Sequence, residues 1–178
     1  MGRMVILRIG HRFFRDSRVT THVCLTARAL GADGVIIADR EDKVVESTIR
    51  DVTDRFGGPF QVESGISWRK AVRDWKEAGG KIVHLTAYGL PLSKVLPEIQ
   101  KMTYDIMVVV GSEKMPGEMF KMADWNVSVT SQPMSEVAAL AIFLDWFNQH
   151  RELDREFSKA QIRIVPSKDR KEIERVVP

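Results

Sequence analysis

The chain has 178 residues, 44% of them hydrophobic and 29% charged, enough for one sizeable core and typical of a globular domain. No apolar run approaches the roughly 20 residues that span a bilayer, which excludes a membrane-embedded class. The net charge is only +3, yet the first 28 residues hold six arginines (Arg3, Arg8, Arg12, Arg15, Arg18 and Arg28) against Asp16 alone, so that stretch carries +5 and the remainder −2.

A basic cluster on an otherwise balanced chain fits a phosphate-bearing partner. A solvated basic edge has the same composition, and charge alone does not separate the two. The opening nine residues, interrupted by Arg3 and Arg8, lack the long apolar core and cleavage site of a signal peptide. The single cysteine, Cys24, cannot form an internal disulfide and fits a reducing cytoplasm. It stands in an apolar stretch, as a buried small side chain does. His11, His22, His84 and His150 show no ligand spacing with one another or with Cys24, so no metal is expected.

Strand and helix signals alternate along the chain. Residues 5–7 predict a first strand, and 19–30 a helix stopped at Gly31. Residues 35–38 are a continuous apolar strand ending at Asp39. Residues 43–56 predict a helix with Val44, Ile49, Val52 and Phe56 near one face, stopped by Gly57-Gly58-Pro59. A short strand at 60–62 and a helix at 68–78 follow, the latter with Trp68, Val72 and Trp75 at spacings of four and three.

Residues 81–85 predict a strand, 92–100 a short helix, and 106–110 a strand buried on both faces. A strand at 126–129 leads to a strongly apolar helix at 135–149, with Ser135 as its N-cap. That helix is apolar nearly all round, so it packs within the monomer or against a second subunit. Together these elements predict an α/β fold, a mainly parallel sheet with helices on both faces, over residues 1–150. Residues 151–178 are charged, with one strand-like piece at 162–165, and read as a C-terminal extension.

In open parallel sheets, ligands sit beyond the carboxyl ends of strands. Three loops at such ends are rich in Gly, Ser, Thr or Pro: 85–89, 111–117 and 129–134. Any one of them could be a plain turn. Together they could form one pocket, with apolar strand ends for an adenine and backbone groups for its edge. The chain has no Gly-x-Gly-x-x-Gly, no Walker-type phosphate loop and no Gly-x-Ser-x-Gly elbow. A nucleotide-like ligand here therefore lacks a tightly held polyphosphate, and S-adenosylmethionine fits that description.

The segment Val109-Val-Gly-Ser-Glu-Lys resembles the Gly-x-Glu loop of SPOUT methyltransferases. The stretch from Asn126-Val-Ser-Val-Thr-Ser-Gln-Pro-Met to Asp145 resembles their last strand, cofactor loop and final helix. The opening, Leu7-Arg-Ile-Gly-His-Arg, then Arg15-Asp-Ser-Arg-Val-Thr-Thr-His-Val and Leu25-Thr-Ala-Arg-Ala-Leu-Gly-Ala, is similar to that of the archaeal tRNA (cytidine(56)-2'-O)-methyltransferases. The resemblance implies a trefoil-knotted α/β fold, S-adenosylmethionine as cofactor, tRNA as substrate and a homodimer with the 135–149 helix at its interface. By position, it implies a cofactor site of Leu85, Gly111, Ser112, Glu113, Lys114, Met115, Val129, Thr130, Ser131, Gln132, Pro133 and Met134.

Methyl transfer to a ribose hydroxyl needs alignment and a more nucleophilic oxygen, which a nearby guanidinium can promote. In related bacterial enzymes an Arg-Thr-Ala segment leads to a glycine; here Leu25-Thr-Ala leads to Gly31, so Leu25 stands in the arginine's place. The candidates for catalysis are therefore Arg18, Arg28 and Arg8, with His22 as a proton acceptor. Each arginine could equally position a phosphate, and His22 could be structural. Two other readings are a non-catalytic RNA-binding protein of the same fold and a receiver-type signalling domain. Arg8-Ile-Gly-His-Arg stands where the latter needs acids.

Overall fold

The structure, a computed structural model, describes residues 2–111 and 115–176. Six parallel strands form one sheet: β1 (Met4–Ile9), β2 (Gly34–Ala38), β3 (Gln61–Ile66), β4 (Lys81–Pro91), β5 (Ile106–Gly111) and β6 (Trp125–Ser128). Their order is β3-β2-β1-β5-β4-β6, so β1 and β5 lie at the centre. The helices are α1 (Ser17–Ala29), α2 (Lys43–Phe56), α3 (Trp68–Glu77), α4 (Leu92–Ile99), α5 (Gly117–Met122) and α6 (Glu136–Asn148).

Successive strand residues point to opposite faces, and the core follows that alternation. Ile106, Val108 and Val110 of β5 pack with Ile6 of β1, Val23 of α1, Ile49 of α2, Leu96 of α4 and Leu144 of α6. Met107 and Val109 pack on the other face with Leu7, Trp68 and Val72 of α3 and Met119 of α5. Both faces are thus covered, as the unbroken apolar strands require.

The helix starts are legible in their caps. Asp42 accepts hydrogen bonds from the N–H groups of Val44 and Val45 at 3.1 and 3.0 Å, and Ser135 accepts one from Val137 at 3.2 Å. Each such cap stabilises its helix by about 1 kcal/mol. Helix α1 starts two residues earlier than expected, extending a turn in which the Asp16 N–H bonds the Arg12 carbonyl at 2.9 Å.

Three features depart from the expected elements. Strand β3 runs over Gln61–Ile66 rather than 60–62, strand β4 continues past Leu85 to Pro91, and the six-residue helix α5 follows the glycine-rich loop. The C-terminal stretch holds a second strand as well. β7 (Ile162–Val165) and β8 (Glu172–Arg175) form an antiparallel hairpin. It is tied to the domain where the Gly58 N–H bonds the Ser158 carbonyl at 3.0 Å and the Ser158 hydroxyl bonds the Gly58 carbonyl at 2.9 Å.

His84 is buried on β4, its Nδ1 2.8 Å from Asn126 Oδ1, with Nε2 unpartnered among the described residues. Burial pushes its pKa below the ordinary 6.5, against the opposing hydrogen bond that Nδ1–H donates to Asn126. The unfolded chain therefore binds the proton first as pH falls. The expected result is a melting temperature that drops as pH falls below about 6.5, because the neutral ring is favoured only in the folded state. In His84→Gln the part of that slope due to this residue disappears, as paired melting scans from pH 7.5 to 5 would register.

Candidate functional site

Strand β4 makes an irregular pairing with β6. Leu85 and Leu90 both stand opposite Val127, so the four residues between them leave the ladder and project beyond the strand ends. Gly89 returns the chain so close to β6 that a Cβ there would lie 2.5 Å from the Val127 nitrogen and 2.6 Å from the Asn126 carbonyl carbon and oxygen. Only glycine permits this approach without displacing backbone.

The detour forms one wall of a cleft of about 790 Å³ at the carboxyl ends of β4, β5 and β6. Of the residues expected at the cofactor site, Leu85, Gly111, Met115, Val129, Thr130, Gln132, Pro133 and Met134 line it. The three predicted loops are thus brought together. Ser131 is exposed and is not part of the lining. Ser112, Glu113 and Lys114 lie outside the described residues. Val110 and Val127, at the ends of apolar strands, also line the cleft, as do Phe120, Glu136 and Ala139, which no motif singled out. A larger cavity of about 900 Å³ lies at the opposite, amino-terminal end of the sheet, bordered by Met4, Gln61 and Phe147. Ligands of open parallel sheets bind at the other end.

The four catalytic candidates fall in different places. Arg8 has a fully buried side chain on the central strand, and its Nη2 donates to Glu136 Oε1 at 2.9 Å. Its Nε and Nη1 have no partner among the described residues. Burial pulls the Arg8 pKa below the usual guanidinium value, against the opposing influence of Glu136. Glu136, half-shielded at the start of α6, carries this charge pair to the cleft wall. Arg18 and His22 are exposed, one turn apart on α1, and neither lines the cleft.

Arg28 is at the far end of α1. It donates to the Gly57 carbonyl and stacks on the Phe157 ring with its guanidinium carbon 4.4 Å from the centroid. That arrangement clamps the C-terminal segment to the α2 terminus, and Arg28 does not line the cleft. Cys24 is buried, and burial pushes its thiol up to about 12, which makes it inert as a nucleophile at neutral pH.

Residues 56–174 match the family described as tRNA ribose 2'-O-methyltransferase. The chain belongs to this family. Relatives of this methyltransferase family are similar along nearly their whole length. A tRNA (cytidine(56)-2'-O)-methyltransferase of Methanoregula boonei is 53% identical over 171 residues, covering 96% of each chain. The protein of the same name from Methanopyrus kandleri is 49% identical over 174 residues, covering 98% of this chain and 97% of its own.

Solved structures show the same fold. The A. aeolicus TrmH/SpoU tRNA modifying enzyme superposes with a TM-score of 0.60 at 15% identity, over 86% of this chain and 77% of its own. The SpoU methyltransferase AviRb from Streptomyces viridochromogenes, solved with AdoMet, gives 0.56 at 18% identity, over 86% and 59%. At these identities the likeness concerns the α/β methyltransferase fold alone.

Proposed function

We propose that this protein transfers a methyl group from S-adenosylmethionine to a ribose 2'-hydroxyl of tRNA, at cytidine 56 of the T-loop. The observation that carries the reading is the near full-length identity of about half to relatives bearing that name. The cleft fits the cofactor by its own chemistry. Apolar strand ends at Leu85, Val110, Val127 and Val129 suit an adenine, and the Thr130–Met134 loop offers backbone groups to its edge. Bound there, the cofactor supplies a methyl already activated by a positive sulfur.

The remaining work falls to this chain. Glu136 faces the cleft, where its carboxylate can accept the hydrogen of the ribose hydroxyl. Arg8, buried behind it, donates to that carboxylate and so fixes its position and charge at the cleft wall. Arg18 and His22, exposed on α1, suit contact with RNA phosphates and ribose.

The protein works as a cytoplasmic homodimer in this reading. Support comes from an apolar surface that includes Val19 of α1 and Ile142 and Trp146 of α6, exposed by 38%, 37% and 45%. A trefoil knot formed by the β4 detour and the following chain is part of the same proposal, supported by the tight passage of Gly89 against β6.

The test is nucleoside mass mapping of an unmodified tRNA transcript incubated with the protein and S-adenosylmethionine. The expected product is one 2'-O-methylcytidine at position 56. Methylation of a base, or no methylation, overturns the proposal.

A further inference from the structure

Between β1 and α1 the chain makes a tight turn whose base is anchored in the core. The His11 ring is buried, with Nδ1 2.9 Å from the Thr20 hydroxyl and Nε2 3.0 Å from the Asp42 carboxylate. The Ser17 hydroxyl donates to the same Asp42 carboxylate at 3.2 Å. Burial raises the Asp42 pKa, but hydrogen bonds from Val45, His11 and Ser17 outweigh it and hold the carboxyl below its usual value. The Arg12 guanidinium and N–H grip Asp16 across the turn at 2.8 and 3.1 Å.

The tip of this rigid turn is two phenylalanines facing solvent. Phe14 is 95% exposed and Phe13 45%, with ring centroids 5.0 Å apart and planes at 89°. A scattered exposed aromatic is ordinary. Two adjacent rings on an anchored loop are different, because the fold orders them without burying them. Their apolar area contributes little to the stability of this chain and is available to something outside it.

The surroundings identify the partner's chemistry. Arg15 directly follows the rings and Arg18 lies at the start of α1, both exposed and without an ion pair among the described residues. Exposed aromatics next to exposed guanidinium groups are what unstacked nucleobases and their phosphates require. The turn also lies at the cleft end of the sheet. It follows Ile9, the β1 residue that pairs with Gly111 of the cleft wall.

We infer that Phe13 and Phe14 are a stacking platform for unpaired bases of the RNA beside the methylated ribose, with Arg15 and Arg18 on the adjoining phosphates. This rests on the tRNA methyltransferase reading. Drawing one nucleotide of a folded RNA into the cleft unstacks its neighbours and exposes base faces that would otherwise be covered. Phe14, the more exposed ring, receives such a base and offsets the lost stacking. The roles divide accordingly: the platform governs how tightly RNA is held, and the cleft governs the transfer.

The test compares Phe14→Leu and Phe14→Tyr in the full chain, with RNA affinity and turnover measured separately. Phe14→Leu keeps an apolar side chain but loses the ring. It is expected to weaken binding of the unmodified transcript about tenfold and to raise the KM for tRNA while kcat at saturation holds. Phe14→Tyr retains the ring and restores both. The surface position leaves the fold intact, so melting temperatures match across all three proteins.

Unchanged RNA affinity in Phe14→Leu overturns the platform. So does a change of sedimenting mass in Phe14→Leu, which marks the rings as a contact between protein chains. Failure of the parent protein to methylate tRNA is a different result. It overturns the reaction, whereas the direct binding measurement still decides whether the rings hold RNA.

Discussion

Arg8→Met is expected to lower turnover about a hundredfold or more without destabilising the protein. The guanidinium is fully buried on the central strand and, among the described residues, only its Nη2 finds a partner, Glu136. Each buried donor left without a partner costs about 1–3 kcal/mol. An apolar side chain of similar volume removes that cost, and replacing buried charged groups in this way is often neutral or stabilising. Glu136, left without its partner, is still 23% exposed and can be hydrated.

The melting temperature of Arg8→Met therefore stays level or rises while methyl transfer is lost. Cofactor affinity changes little, because Arg8 does not line the cleft. Single-turnover methylation, calorimetric titration of S-adenosylmethionine and thermal melting together make the check. Full turnover in Arg8→Met removes the Arg8–Glu136 pair from the mechanism. A mere loss of folding would appear as a lowered melting temperature, which distinguishes a structural role from the chemical one.

The second large effect is expected at Gly89. A methyl there meets backbone atoms of β6 at 2.5–2.6 Å, and backbone cannot swing aside as a side-chain tip can. The Gly89→Ala strand must move outward, at a cost of about 1–3 kcal/mol. The movement opens the wall shared by Leu85 and Val127, so S-adenosylmethionine affinity falls about tenfold or more, in line with a cost of that size. Gly117→Ala is the matched control, since nothing lies within 4 Å of its added methyl. Equal melting temperatures and equal cofactor affinities for the two variants would show that the close passage has no bearing on the cleft.

The fold was legible where burial is strong and local. The central strand at 106–110 is apolar throughout because both its faces are covered, and the 43–56 and 135–149 helices carry their N-caps in sequence. Strand β3 was less legible because Gln61-Val-Glu-Ser-Gly-Ile sits at the sheet edge and buries only Val62. The extension of β4 was hidden because its pairing resumes only after a four-residue detour. Strand β8, Glu-Ile-Glu-Arg, follows from its partner in the hairpin and not from any apolar pattern of its own.

At the site, the loops at strand ends led to the end of the sheet where the cleft of about 790 Å³ lies. The Arg8–Glu136 pair did not show, because its members are 128 residues apart and meet only through β1 and α6. Charge counting grouped Arg28 with the other arginines of the opening. Its helix, however, carries it to the opposite end, where Phe157 covers it. The same counting passed over Phe13 and Phe14, whose exposure is set by how His11 anchors the turn.

The central place of β1 bears on how the protein is made. Its edge toward β5 pairs Met4 with Ile106, about a hundred residues later. During synthesis, β1, β2 and β3 emerge long before that partner exists. Until then the nascent chain presents an apolar strand edge with unpaired amides and an uncompensated Arg8, a surface prone to association with other chains. Pairings this distant in sequence also slow folding. The cleft needs residues up to Ala139 of α6, so no product of translation that stops before that helix can hold the cofactor.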